Sequence, residues 1–199
     1  GPDAAALLDF VYTNMFSTLK VGRVRYGLML REDGHVLDDG TTARLGETHF
    51  VMTTTTAAAG LVMRHLEFVL QALRPELDAR VISVTEQWAQ FAVAGPQARD
   101  LLNSVLDQEV DNESWPFMAC GAVGVAGVPG RLFRISFSGE HAYEVAVPSR
   151  YGDSLFRLLT AQAEAMGGGA YGMEALNVLR IEKGFITHAE IHGRTTAFD

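Results

Sequence analysis

The stretch Tyr26-Gly-Leu-Met-Leu-Arg-Glu-Asp-Gly-His-Val-Leu-Asp-Asp-Gly40 predicts a strand, a tight turn and a returning strand. Asp33-Gly34 is a strong signal for a two-residue hairpin turn, because glycine accepts the positive φ that such turns require. Asp38 and Asp39 follow in the returning strand, where neighbouring side chains point to opposite faces. One carboxylate can therefore face solvent while the other faces the interior or a cleft.

This pair of acids is a candidate for chemistry. A carboxylate that is buried or half-buried must form an ion pair, be protonated, or take part in binding or catalysis. Asp38 and Asp39 could therefore handle a proton or hold a polar cationic ligand. Taken alone, the pattern is more typical of two surface acids that flank a turn, and both interpretations stay open at this point.

A short repeat extends outward from the hairpin. Gly1-Pro2-Asp3-Ala4 leads into a Leu-Leu pair, and Gly95-Pro96-Gln97-Ala98 does the same in the second half of the chain. The repeat predicts two related α+β lobes, which we place at residues 1–85 and 86–199, the second of them ferredoxin-like.

Hydrophobic periodicity predicts the remaining elements. Helices are expected where apolar residues recur every three to four positions, at Ala57–Arg74, Tyr151–Met166 and Gly172–Lys183. Strands are expected where β-branched and aromatic residues cluster or alternate with polar ones, at Val24–Leu30, Phe50–Thr53, Val81–Thr85, Gln90–Ala94, Arg131–Phe137 and Tyr143–Val147.

A second motif lies at Phe137-Ser-Gly-Glu-His-Ala-Tyr-Glu144. Its Ser-Gly pair predicts a tight turn between two strands, after which Tyr143 and Glu144 point to opposite faces. The two oxygens of a glutamate suit a flat pair of donors, such as the ring N–H and amino group of a pterin. An exposed acid on an edge strand is the alternative interpretation.

Composition narrows the functional class. The chain has 199 residues, a formal net charge of −8 and a single cysteine, Cys120. The acidic balance argues against broad binding to nucleic acid or to an anionic membrane. One cysteine excludes an internal disulfide and a cysteine-based zinc site, and indicates a reducing, cytoplasmic compartment. The spacing of the six histidines predicts no metal site.

Together these motifs resemble the folate-binding aminomethyltransferases, which include the T-protein of the glycine cleavage system. The resemblance rests on the hairpin ending in Asp-Asp, the Gly-Pro-x-Ala helix, the turn before Glu144, and Met173-Glu-Ala-Leu-Asn-Val-Leu-Arg-Ile-Glu-Lys-Gly-Phe185. Within this family, the chain is most similar to the C-terminal region of the α subunits of heterotetrameric sarcosine oxidases. The family fold has three lobes, so a third, barrel-like lobe is expected beyond Asp199.

The resemblance implies roles for particular residues. Asp39 would be the catalytic aspartate, and Glu144 would hold the pterin. The folate-binding set would comprise Tyr26, Asp39, Thr53, Phe137 and Glu144. The chain departs from the T-protein pattern at Ala43 and Phe137, which remove tyrosine hydroxyls, and at Leu176, which replaces an arginine.

The resemblance also implies an activity. Tetrahydrofolate would be the co-substrate that captures the one-carbon unit of oxidised sarcosine as 5,10-methylenetetrahydrofolate. Flavins and NAD would bind elsewhere in a complex that contains β, γ and δ subunits. The chain alone, expected to be a fragment, would self-associate and be inactive. The alternatives are an aminomethyltransferase of the T-protein or dimethylglycine oxidase type, and a non-catalytic folate-binding structural lobe.

Overall fold

The computed structural model describes residues 1–199 as two compact units. The first unit comprises Gly1–Ser83 and Ile186–Asp199, and the second comprises Val84–Phe185. The expected division at residues 85 and 86 differs from this in the last segment, which the structure groups with the first unit. That segment returns to the hairpin, where Val36 N–H donates to the Thr195 carbonyl at 2.8 Å.

The first unit is built on a three-stranded antiparallel sheet in the order β1-β2-β3. Its elements are α1 (Ala4–Val11), β1 (Arg23–Leu30), β2 (Val36–Gly46), β3 (His49–Met52) and α2 (Ala59–Phe68), which is preceded by a 3-10 turn and followed by a π-helical turn. The helices bury apolar side chains such as Leu8 and Val62 against Met29 of the sheet. This packing defines a core face of the sheet and leaves the opposite face for other contacts.

The hairpin has a longer loop than expected. The Arg31 N–H donates to the His35 carbonyl at 2.8 Å, and the Gly34 N–H donates to the Arg31 carbonyl at 3.0 Å. Gly34 has a φ of 82°. The loop is therefore a three-residue turn with a left-handed glycine, not the two-residue turn that Asp33-Gly34 alone suggested.

The second unit contains a four-stranded antiparallel sheet in the order β4-β7-β6-β5. Its elements are β4 (Trp88–Ala94), α3 (Ala98–Asn103), β5 (Cys120–Val125), β6 (Val128–Phe133), β7 (Ala142–Pro148), α4 (Gly152–Ala165) and α5 (Met173–Lys183). Leu102 of α3 and Leu155 of α4 belong to one buried cluster with Val145 of β7. Glu144, the neighbour of Val145 in the strand, therefore lies on the sheet face away from this core.

Two expected strands are wrong or too long. The segment at Val81–Thr85 is not a strand, because no neighbouring strand shares hydrogen bonds with it. Val81 packs beside the first core, whereas Ile82 is exposed. The strand expected at Arg131–Phe137 ends at Phe133. The expected helices agree with the structure to within a few residues. No helix has the length and apolar character needed to cross a membrane.

Candidate functional site

The pairing register of β1 and β2 places Asp38 and Asp39 on opposite faces of the sheet. Asp38 lies opposite Met29, which is fully buried, whereas Asp39 lies opposite Leu28. Asp38 is only 2% exposed, and its Oδ2 accepts a hydrogen bond from the Thr55 N–H at 3.1 Å. Asp38 Oδ1 is buried and has no hydrogen-bond partner. The first aspartate of the pair is therefore a core residue.

Asp39 lies on the sheet face opposite Asp38, where it is partly buried and forms a hydrogen bond with a tyrosine. Tyr26 lies opposite Thr41, so it is the diagonal neighbour of Asp39 across the two strands. The Tyr26 hydroxyl donates a hydrogen bond to Asp39 Oδ2 at 2.9 Å. The tyrosine is 42% exposed. This face thus presents an accessible phenol and a carboxylate held in one orientation.

The pKa values of Asp38, Asp39 and Tyr26 are all raised. Burial raises the pKa of Asp39, and the negative charge of Asp38 raises it further, while the Tyr26 hydrogen bond opposes both effects. Burial also raises the pKa of Asp38. The Tyr26 pKa is raised, first by burial and then by the charge of Asp39. His188 lowers the pKa of both aspartates, although nothing in the sequence placed it near them.

Thr53 extends the Asp39 face at the end of β3. Its N–H donates to the Thr41 carbonyl at 2.8 Å, and its hydroxyl lies 3.0 Å from the Thr41 hydroxyl. Gly40 makes this approach possible, because a Cβ at that position would collide with the Thr53 carbonyl. Thr53 is exposed, so its side chain is available on this face.

The carboxylate of Glu144 lies in the second unit, on the sheet face away from the helices. Gln90 of β4 is its diagonal neighbour and donates a side-chain hydrogen bond to Glu144 Oε2. Burial raises the pKa of Glu144, and the Gln90 hydrogen bond opposes that shift. Tyr171 lies close enough that the Glu144 charge contributes to its raised pKa, after burial. Local sequence gave no signal that Gln90 or Tyr171 lies near Glu144. Gln90 is brought there by the pairing of β4 with β7, and Tyr171 by the path of the chain after α4.

Phe137 packs against another aromatic ring in the second unit. Its ring stacks on Phe185 with 6.4 Å between centroids and 12° between planes. The hydroxyl of Ser136, on one side of it, is buried without a hydrogen-bond partner, and the hydroxyl of Ser138, on the other side, is buried close to Tyr171. Of the expected folate-binding residues, the first unit therefore holds Tyr26, Asp39 and Thr53, and the second unit holds Phe137 and Glu144.

The comparison with known families covers the whole chain. Residues 1–199 match the family described as GCVT N-terminal domain. The chain belongs to this family. The family resemblance expected from the hairpin and the Glu144 motif is thereby confirmed.

The relatives of this chain with curated descriptions include sarcosine oxidase α subunits and aminomethyltransferases. The chain is 53% identical over 201 residues to sarcosine oxidase subunit alpha of Rhizobium meliloti, a match that covers 100% of the chain and 20% of that protein. It is 32% identical over 200 residues to an aminomethyltransferase of Streptomyces coelicolor, covering 100% of the chain and 52% of the relative. The chain therefore spans about a fifth of the sarcosine oxidase relatives and about half of the aminomethyltransferases.

Two solved structures confirm the α+β fold. The glycine cleavage system aminomethyltransferase T of Bartonella henselae matches with a TM-score of 0.78 and 25% identity, over 94% of this chain and 48% of that one. A chain of the heterotetrameric sarcosine oxidase of Corynebacterium sp. U-96 matches with a TM-score of 0.58 and 14% identity, over 86% of this chain and 78% of that one. The second likeness concerns the fold alone.

Proposed function

We propose that this GCVT domain is the tetrahydrofolate-binding part of a sarcosine oxidase α subunit, where it captures the one-carbon unit of oxidised sarcosine. The identity of 53% to such an α subunit, against 32% to an aminomethyltransferase, supports this choice within the family. The observation that carries the chemical role is the half-buried Asp39 carboxylate, bound by Tyr26 on an accessible face while Asp38 is buried in the core.

The residues present fit a folate. Glu144 Oε2 is bound by Gln90, but Oε1 accepts no hydrogen bond within the chain and is free for an N–H donor. A partly buried carboxylate with one unsatisfied oxygen suits the adjacent N–H and amino donors of a pterin. In the first unit, the exposed ring of Tyr26 offers an aromatic surface beside Asp39. We propose Tyr26, Thr53, Phe137 and Glu144 as the binding residues, together with Asp39.

The chemistry requires a group that handles one proton. Tetrahydrofolate supplies the two nitrogens that form bonds to the one-carbon unit. The bond from that carbon to the donor nitrogen breaks, so that glycine leaves with the protons lost by the folate nitrogens and 5,10-methylenetetrahydrofolate is formed. Asp39 accepts the proton that a nitrogen nucleophile loses as its bond to the one-carbon unit forms. Burial raises the pKa of Asp39, which makes its carboxylate a stronger base. Tyr26 fixes the orientation of the carboxylate through its hydrogen bond.

The proposed assembly contains further components. We propose β, γ and δ subunits as partners, and binding sites for flavins and NAD outside this chain. A heterotetrameric sarcosine oxidase is among the proteins that share the fold. We propose the cytoplasm as the location. Without tetrahydrofolate, the one-carbon unit of oxidised sarcosine would leave the assembly as formaldehyde.

A second candidate is aminomethyl transfer of the glycine cleavage type. It is favoured by the TM-score of 0.78 to the Bartonella aminomethyltransferase. In that case the donor would be an aminomethyl group rather than the imine of oxidised sarcosine, and Asp39 would have the same proton-handling role. A folate-binding domain without transfer activity is the third possibility.

The test uses the intact α subunit carrying this chain, assembled with its partners. Sarcosine turnover is followed with and without tetrahydrofolate, and formaldehyde and 5,10-methylenetetrahydrofolate are both quantified. We expect tetrahydrofolate to replace formaldehyde by methylenetetrahydrofolate at an unchanged rate of sarcosine consumption. Folate binding without any change in the products would favour the non-catalytic domain. No sarcosine turnover, together with transfer from an aminomethyl donor, would favour the second candidate.

A further inference from the structure

A cluster of basic side chains surrounds a buried tyrosine in the second unit. Tyr143 of β7 is fully buried, and its hydroxyl lies 3.1 Å from Arg99 Nε and 3.2 Å from His141 Nε2. Arg99 Nη2 also lies 3.3 Å from the same histidine nitrogen. The guanidinium of Arg134 lies over the Tyr143 ring, 5.7 Å from its centroid. Three basic side chains therefore meet around one phenol.

No carboxylate forms an ion pair with this cluster, although the charges of Asp100 and Asp111 lie near enough to interact with it. Neither Arg99 nor Arg134 forms an ion pair, although four other arginines of the chain do. The acceptors of the two guanidiniums are neutral: the Tyr143 hydroxyl and the Asn112 amide oxygen for Arg99, and the Trp115 carbonyl for Arg134. These two guanidiniums without an ion pair occur in a chain whose formal net charge is −8.

The cluster is separate from the site described above. Tyr143 and Glu144 are consecutive in β7, so the cluster lies on the helix-covered face and Glu144 on the other. Arg99 and Arg134 are both partly exposed, so solvent reaches them. Nη1 of Arg99, and Nε and Nη2 of Arg134, donate no hydrogen bond within the chain. These donors are available to an external acceptor.

We propose that Arg99, Arg134 and His141 form a binding site for an oxyanion, a phosphate or carboxylate group of a small ligand. Guanidinium groups present paired N–H donors that match the oxygens of both groups. The pKa of His141 is lowered by partial burial, then by the charges of Arg99 and Arg134, with Asp100 opposing them. A bound anion would oppose the effect of the two guanidinium charges and so raise the pKa of His141.

The first experiment measures binding by the full chain. Inorganic phosphate and succinate are titrated separately, with sodium chloride at matched ionic strength as the control. Thermal unfolding is followed, and the ring signals of His141 are followed by NMR, assigned with His141→Asn. We expect the melting temperature to rise by roughly 3–6 °C at a ligand concentration ten times Kd. We also expect the pKa of His141 to rise as the site fills.

Three variants locate the effect. Arg99→Gln and Arg134→Gln should lose the response, whereas Arg157→Gln, which removes an exposed arginine of the same unit, should keep it. If either variant proves unstable, the change in the His141 pKa on adding ligand to the unsubstituted chain still tests whether an anion binds there. A response to phosphate alone or to succinate alone identifies the ligand class. An effect no larger than that of chloride, an unmoved His141 pKa, or equal losses in Arg157→Gln would overturn the proposal.

Discussion

The Tyr26 hydroxyl and the Asp39 carboxylate are joined by a 2.9 Å hydrogen bond between diagonal positions of two antiparallel strands. The bond holds one carboxylate oxygen on the accessible sheet face, whereas the neighbouring Asp38 carboxylate is held in the core by the Thr55 N–H. The two adjacent acids therefore have different structural roles.

Asp39→Asn should strongly reduce transfer while leaving oxidation intact. In the intact assembly we expect the yield of methylenetetrahydrofolate to fall about 10²-fold or more, the usual scale for a positioned acid or base. Sarcosine consumption should change little, and formaldehyde should appear instead. Asp38→Asn is the matched control and should reduce the yield far less. Equal losses from the two substitutions would contradict the assignment of the proton-handling role to Asp39.

Tyr26→Phe should shift the pH dependence of transfer. The Tyr26 hydrogen bond lowers the Asp39 pKa, so its removal leaves that pKa higher. If the reaction needs the ionised carboxylate, the acidic limb of the pH–rate profile should move to higher pH. A hydrogen bond of about 1 kcal/mol corresponds to a shift of roughly 0.7 pH units. An acidic limb at the same pH in both proteins would show that this contact does not tune the base.

Asp38→Asn should change how stability depends on pH. Burial raises the folded-state pKa of Asp38, so the protonated form is favoured in the folded chain. Its contribution to stability is fully present below the unfolded pKa of about 3.9 and is lost as pH rises through the folded pKa. Asparagine cannot ionise, so the unfolding free energy of the original chain should fall relative to that of the variant as pH rises above about 4. Urea titrations at several pH values measure this, and a constant difference would refute it.

Glu144→Ala should weaken folate binding in the intact assembly. Loss of hydrogen bonds to a charged group predicts a change of about 2–3 kcal/mol, or roughly 30- to 150-fold in Kd. Glu144→Gln should lose less, because one acceptor remains. Glu140→Ala, which removes an exposed acid near the same turn, is the control and should leave Kd unchanged. Equilibrium dialysis with tetrahydrofolate distinguishes these outcomes, and an unchanged affinity in Glu144→Ala would remove this residue from the proposed site.

Gly40→Ala should destabilise the first unit. The added Cβ would collide with the Thr53 carbonyl, and because that carbonyl belongs to the backbone, the strands must move apart. Overpacking of this kind typically costs about 1–3 kcal/mol. Gly169→Ala is the control, because nothing lies within 4 Å of the added atom. Similar urea midpoints for both variants would show that the approach of β3 to Gly40 is not tight.

Local sequence was enough for the elements and for the alternation of side chains along them. The Asp-Gly pair predicted the hairpin, and the alternation of a strand predicted that Asp38 and Asp39 would face opposite sides. The same reasoning separated Tyr143 from Glu144. These features depend on φ preferences and on the two-residue period of a strand, which neighbouring residues specify.

Which aspartate is buried was decided only by the tertiary structure. The helices α1 and α2 cover the face that carries Met29, so Asp38 is enclosed and Asp39 is not. The contacts of Thr55 with Asp38, and of Gln90 with Glu144, join residues distant in the chain. The return of residues 186–199 to the first unit is of the same kind. Such pairings depend on which strands and helices meet, and a local pattern does not encode the partner because many partners satisfy the same hydrophobic and hydrogen-bonding needs.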